Sequence, residues 1–529
     1  MANWLLADCI SERARAAMSN RDEARLGTIT RMRCLHSLSG KRRPATIVAG
    51  LLTVFLILTS QQVVHASVFI YVGKNLTKDG SVLLAGFGDE PSSHWLSIVP
   101  RQQHPAGATK PVGGTAAARL PGELIEIPQV KETFRYISMD YSVYVGLPAP
   151  LTNGGMNEHG VAVRDVALAS RRELVEMTPK LQRGLNYSDV ARIALERART
   201  AREALDIAID LIKRYGDFTY GGNSHAFADA NEGWVLLTFA GGKGLWVAKR
   251  LGPNDVWLNW RGYTGTGYVQ TLPADWRKNP DYLASDNFES FAVEQGWHKP
   301  GTGPFNVIGV YCRDRSGEPS AAEARKVEAA VRAAAPKVDV QLLMEQLHAV
   351  GRDSSGYGQV AHLRADVHSD LRTLWVAPGP PITAAFVPWR IGVESVIPEY
   401  RRHRYLTAGE AELSNIQRAQ QGLESTRYVN RAVKRLLYLL DERRDAFLPE
   451  VAAALTAFDS RQLAAQPGVE RTAEILLKAN EAALARRYLT EQANAAAEDG
   501  LHLIEALAES IEARTKVLYG IRTLDDAKP

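Results

Sequence analysis

Three short β-rich runs, at residues 224–229, 234–240 and 245–251, constrain the fold most. Asn231-Glu232-Gly233 separates the first two, and Gly241-Gly242-Lys243-Gly244 the last two. Connections that short join antiparallel neighbours, so the runs predict a meander. Residues 255–260 read as a further strand. A second such unit lies earlier. The β-rich run from Ser67 to Gly73 and the run Ser81-Val82-Leu83-Leu84-Ala85 flank Asn75-Leu76-Thr77-Lys78-Asp79-Gly80. Its Asp-Gly step is strong turn chemistry, which predicts a hairpin beginning at Ser67.

Helical signals lie between and after these units. Ser188 can cap residues 189–197, and Thr200-Ala201-Arg202-Glu203 forms a capping box for a helix ending near Gly216. Ala204, Ile207, Ala208, Leu211 and Ile212 give that helix one apolar face. Ser320-Ala321-Ala322-Glu323 caps another, and residues 338–350 read as a further helix. Residues 371–376 and 382–387 read as late strands, and residues 101–125, rich in Pro, Gly and Ala, as a loop. Beyond about residue 405 nearly everything favours helix, with Thr407-Ala408-Gly409-Glu410 as a capping box. The pattern is α+β: antiparallel sheets packed on each other, with helices outside.

The start of the chain reads differently. Lys41-Arg42-Arg43 precede an apolar run at residues 45–59, then Val64-His65-Ala66. That is the order of a signal peptide, with cleavage expected after Ala66. The run is shorter than the roughly 20 residues of a spanning helix. An uncleaved anchor is the competing reading. The organisation expected is a presequence at 1–66, a catalytic domain at 67–400 and a helical region at 401–529, packed on the domain or extending it. Export predicts a periplasmic or extracellular protein.

Charge follows the same division. The net charge of +4 comes from 63 basic and 59 acidic residues, of which residues 1–66 hold nine and four. The remainder has 63 − 9 = 54 basic and 59 − 4 = 55 acidic residues, a balance of −1. The mature part therefore has no electrostatic reason to seek nucleic acid or an anionic membrane. After cleavage no integral membrane role is expected. Of the three cysteines, only Cys312 follows residue 66, so no disulfide can form within the mature chain. Cys312 follows the strand-like run Phe305-Asn306-Val307-Ile308-Gly309-Val310-Tyr311 and reads as an apolar filler. No Cys/His spacing matches a zinc site, and His159 and His225 have no partner spacing that argues for a metal.

Ser67-Val68-Phe69-Ile70-Tyr71-Val72-Gly73-Lys74-Asn75-Leu76-Thr77-Lys78-Asp79-Gly80-Ser81 resembles the mature start of the C69-type dipeptidases. These are N-terminal-nucleophile (Ntn) hydrolases, related to secernins and to bile-salt hydrolases. Gly155-Met156-Asn157-Glu158-His159-Gly160-Val161-Ala162, Ala228-Asp229-Ala230-Asn231-Glu232-Gly233-Trp234 and Leu258-Asn259-Trp260-Arg261 add to the likeness in order and spacing. The resemblance implies a four-layer αββα sandwich that hydrolyses dipeptides or other small amides without metal or organic cofactor. It implies Ser67 as nucleophile, where the family normally has Cys. Asp89 matches the acidic position after the second strand, while Gly86 stands where the family has Arg. Asn259 matches an active-site Asn, and a second such position falls near Ala167.

The chemistry of these residue types agrees. A terminal Ser carries a hydroxyl and a free α-amine, a nucleophile with its own base. Asp89 could accept hydrogen bonds near that amine, and Asn259 could donate to a tetrahedral oxyanion. Arg261, two residues on along a strand, could meet a substrate carboxylate, and Asn157 could support the site or simply close a turn. The expected partners are a small peptide or amide substrate and the signal peptidase; a homo-oligomer stays open. Two other readings remain: an acylase or amidase cutting N-acyl amides, and a binding or assembly protein that keeps the fold without activity.

Overall fold

A computed structural model describes residues 67–88, 93–116, 121–141, 147, 150–219, 221–260, 271–301, 303–313, 319–350, 355–402 and 427–520. Asp89, Arg261, the presequence and the Thr407 capping box lie outside the described residues.

The principal strands are β1 (Val68–Val72), β2 (Val82–Phe87), β3 (His94–Val99), β4 (Tyr136–Tyr141), β5 (Gly154–Asn157), β6 (Ala162–Ala167) and β7 (Gly222–Ala228). They continue with β8 (Gly233–Phe239), β9 (Trp246–Leu251), β10 (Val256–Trp260), β11 (Tyr282–Ala284), β12 (Gly358–Leu363), β13 (Thr373–Ala377) and β14 (Val387–Arg390). A six-stranded sheet has the order β10-β1-β2-β12-β13-β14, and an eight-stranded sheet the order β11-β9-β8-β7-β6-β5-β4-β3. All pairings in both are antiparallel. The sheets face each other, with β6 packed across β1 and β2.

Helices cover both outer faces. The longer ones are α1 (Tyr187–Arg197), α2 (Ala201–Tyr215), α3 (Pro319–Ala334), α4 (Val340–Val350), α5 (Val429–Glu442), α6 (Arg444–Lys478) and α7 (Ala482–Tyr519). α1 lies on β5 and β6, and α2 on β7 and β8. On the other side α3 lies on β10, α4 on β2 and β12, and α6 and α7 on β14. The result is the expected four-layer α+β sandwich. Because helices cover its outer face and the partner sheet its inner one, all five residues of β1 are buried. That explains its unbroken apolar run Val-Phe-Ile-Tyr-Val. One core cluster runs from Val68 to Ile511, so the C-terminal helices share the core of the sheets. No helix among the described residues is long and apolar enough to cross a membrane.

Local expectations need four corrections. α1 is capped by Asn186, which forms a reciprocal capping box with Asp189. Ser188 is inside the helix, where its Oγ accepts from the Thr152 amide at 2.8 Å. The run before Cys312 is a strand only at Phe305–Asn306. Val307–Tyr311 is a short helix because the Asn306 side chain caps it at the Gly309 amide. Within 101–125 a hairpin of Thr109–Gly113 and Leu124–Pro128 replaces the expected loop. The late strand expected at 382–387 begins only at Val387. Thr200 caps α2 as anticipated, accepting from the Glu203 amide, and α2 ends at Gly216 with φ +94°, which suits glycine.

A buried pair fastens the C-terminal helices to the sheet layer. His348 on α4 directs Nε2 at Asp459 Oδ2 on α6, 2.8 Å away, while its Nδ1 meets the Pro381 carbonyl. A carbonyl only accepts, so Nδ1 holds a proton. Asp459 Oδ1 takes the Phe386 amide at 3.1 Å. Burial raises the Asp459 carboxyl above its ordinary value, against the opposing pull of His348. His348→Ala strands this carboxylate and should cost about 3 kcal/mol or more, read as a lowered urea midpoint. An unchanged midpoint would show that the pair contributes nothing.

Candidate active site

Ser67 heads β1 and is 6% exposed. β1 lies between β2 and β10, and Phe69 faces Gly86 on one side and Asn259 on the other. Residues opposite each other in an antiparallel ladder project from the same face, and so do residues two apart on one strand. Ser67, Phe69 and Asn259 therefore share a face. It is the face between the sheets: Asn259 Nδ2 donates to Ser224 Oγ on β7 at 2.6 Å, and the Tyr71 hydroxyl donates to the Leu251 carbonyl on β9 at 3.2 Å. Asn259 is fully buried. The Ser224 bond uses one of its two amide hydrogens and leaves the other for a ligand. The start of β1 is held on the opposite face by Val68, between Phe87 and Trp260, whose rings pack edge to face at 6.4 Å.

Gly86 is the position that the resemblance sets against an Arg. A Cβ there would sit 2.1 Å from the Val68 carbonyl oxygen, so this strand has no room for any side chain. Ala167 ends β6 opposite Asn223.

Asn157 is a correction. It is fully buried, and all its polar groups are engaged. Nδ2 donates to the Leu195 and Ala198 carbonyls at 3.0 and 2.7 Å, and Oδ1 accepts the His159 and Val161 amides, both at 3.0 Å. It locks the β5–β6 turn to the end of α1 and has nothing left for substrate. Cys312 is partly buried, and desolvation pushes its thiol up to about 12, which removes it as a nucleophile. Among the described residues no cluster of three or more His, Cys, Asp or Glu could hold a metal.

Polar residues that sequence reasoning passed over lie on β6. Arg164 points between the sheets and Asp165 to the outer face. Asp165 accepts from Asn153 Nδ2 at 2.7 Å and from Asn223 Nδ2 at 3.3 Å, beneath α1. The available signal was a pair of opposite charges set between Val163 and Val166 in a strand buried on both faces.

His225, beside Ser224, donates from Nε2 to the Tyr187 carbonyl at 3.0 Å and is lowered to about 4 by burial. Its unfolded value is near 6.5. Above that pH both states are neutral and stability is full; as pH falls toward 4 only the unfolded state takes the proton, so stability is lost. Between pH 7.5 and 5 the wild type should therefore lose more melting temperature than His225→Gln. Parallel curves would contradict this.

This is an αββα sandwich with a buried serine at the head of a central strand and an asparagine amide on the strand beside it. The chain belongs to peptidase family C69, whose model matches residues 66–350. Probable dipeptidase B of Streptococcus pyogenes serotype M3 (strain ATCC BAA-595 / MGAS315) is 24% identical over 266 residues, 50% of this chain and 49% of that one. Its serotype M1 counterpart is 24% identical over 267 residues, with the same shares. The chain spans about half the length of these relatives. Two mutant forms of conjugated bile acid hydrolase from Clostridium perfringens are 10% identical and cover 64% of this chain, with TM-scores of 0.32 and 0.28.

Proposed function

We propose that this protein is an exported, dipeptidase-like amide hydrolase whose nucleophile is Ser67, made N-terminal by removal of residues 1–66. The observation that carries the reading is the register that sets Asn259 beside β1, on the face Ser67 shares. Family membership supports it, and the family match begins at Ala66, one residue before Ser67. The substrate class is taken from the dipeptidase relatives.

In the chain as synthesised the Ser67 nitrogen is in a peptide bond and cannot act as a base. Cleavage after Ala66 frees it. The α-amine then accepts the hydroxyl proton and Oγ attacks the amide carbonyl. Asn259 Nδ2 donates to the oxyanion, the ammonium returns its proton to the leaving amine, and an acyl ester remains. Water, deprotonated by the same amine, hydrolyses the ester. Asp89, which the family likeness supports, would accept hydrogen bonds beside the amine. Nucleophile, base and oxyanion donor are all protein groups.

Two measurements test the proposal. Intact mass of the exported protein should correspond to a chain starting at Ser67. That protein should cleave members of a dipeptide panel, and a Ser67→Ala variant should not. A chain with a different first residue, or equal turnover by both proteins, would sink the mechanism.

A further inference from the structure

We propose that Arg164 holds the free carboxylate of the substrate, so that the site selects short peptides with an unblocked C-terminus over their amides. The proposal rests on the hydrolase reading above and adds its specificity.

Arg164 is fully buried on β6, the strand that packs across β1 and β2. Its guanidinium carbon lies 4.5 Å from the centre of the Tyr357 ring, and Nη2 reaches the Tyr357 carbonyl only at 3.5 Å. Among the described residues Nε and Nη1 have no hydrogen-bond partner. A buried guanidinium is normally paired, because the cost of removing it from water is otherwise unmet. Here the protein supplies a ring face and one long bond, and leaves two donors of a fork whose geometry matches a carboxylate. The cation is held in place by stacking, with Tyr357 itself fixed by its hydroxyl bond to the Gly154 carbonyl at 3.1 Å.

The position of this fork relative to Ser67 follows from register. Phe87 pairs with both Val68 and Gly358, so Ser67, Gly88 and Tyr357 come level on β1, β2 and the approach to β12. The Gly356 amide donates to the Gly88 carbonyl at 2.9 Å, which carries the ladder on to this level. Two strand spacings separate the Ser67 and Tyr357 backbones, about 10 Å. Between them lie Gly86 of β2 and Gly88, which put no side chain of their own into the gap. One extended residue spans about 3.5 Å. With an attack distance of about 3 Å at one end and a charge-assisted hydrogen bond of about 2.8 Å at the other, it bridges the gap. A dipeptide has its free carboxylate one residue beyond the scissile carbonyl. Its amide places a neutral group there, which leaves the guanidinium buried and unpaired.

The test uses the full chain, expressed with its leader and recovered in processed form. The wild type should show a kcat/KM for a dipeptide at least about 30-fold above that for its C-terminal amide. Arg164→Met should reduce that ratio to about 1 by loss on the dipeptide, mainly in KM, and Arg164→Lys should restore part of it. The melting temperature of Arg164→Met should hold or rise, because methionine replaces an unpaired buried charge. A wild type indifferent to the amide, equal losses on both substrates, or a lowered melting temperature would each overturn the role. Should the wild type cleave neither substrate, the hydrolase reading fails, and calorimetry on Ser67→Ala decides Arg164 separately. At least tenfold tighter binding of dipeptide than amide supports it, and equal binding overturns it.

Discussion

Ser67→Ala should lower dipeptide turnover by at least about 10⁴-fold, because a site stripped of its nucleophile retains only orientation and oxyanion stabilisation. The substitution removes one oxygen from a small, 6% exposed residue at the end of a strand, so β1 and its two ladders should be undisturbed. Alanine also suits the position after a leader cleavage site. The variant should therefore be exported, processed and folded, with a melting temperature close to that of the wild type. Ser67→Cys should keep activity, since a thiolate is available near neutral pH. Residual turnover within tenfold of wild type in Ser67→Ala would remove Ser67 from the chemistry.

Asn259→Ala should lower kcat by roughly 10²–10³-fold with little change in KM, as expected when one oxyanion donor worth about 3 kcal/mol is lost. The split matters. A donor aimed at developing charge acts on the transition state alone, whereas a substrate-binding group would appear in KM. Asn259 is anchored by Ser224 at 2.6 Å, so Ser224→Ala should give a smaller loss of the same type by releasing the amide from its orientation. A fall in kcat of less than about threefold for Asn259→Ala would remove the oxyanion role.

Much of this molecule was legible from local chemistry. The Ser67 hairpin, the meander of β7, β8 and β9, and the Thr200 cap all depend on residues within a few positions of one another. Where local signals competed, reading was less secure. Ser188 reads as the cap of α1 in sequence, but Asn186 caps it, and the Ser188 hydroxyl takes the Thr152 amide. Asn157 looked like a site residue because a turn asparagine and a ligand asparagine have the same sequence appearance; its four hydrogen bonds decide for the turn. Arg164 was missed because a strand's pattern does not say which of its faces meets the site.

The α+β class and the family likeness are written in short contiguous stretches and could be read without the structure. Tertiary structure alone decided what surrounds Ser67. After β9 the chain leaves the eight-stranded sheet, and β10 joins the other one alongside β1, which puts Asn259 on the face of Ser67. The facing of the two sheets then packs β6, which carries Arg164, across β1 and β2. Such contacts join residues far apart in the chain. They depend on which apolar faces bury against each other, and hydropathy has no directional information with which to choose among them.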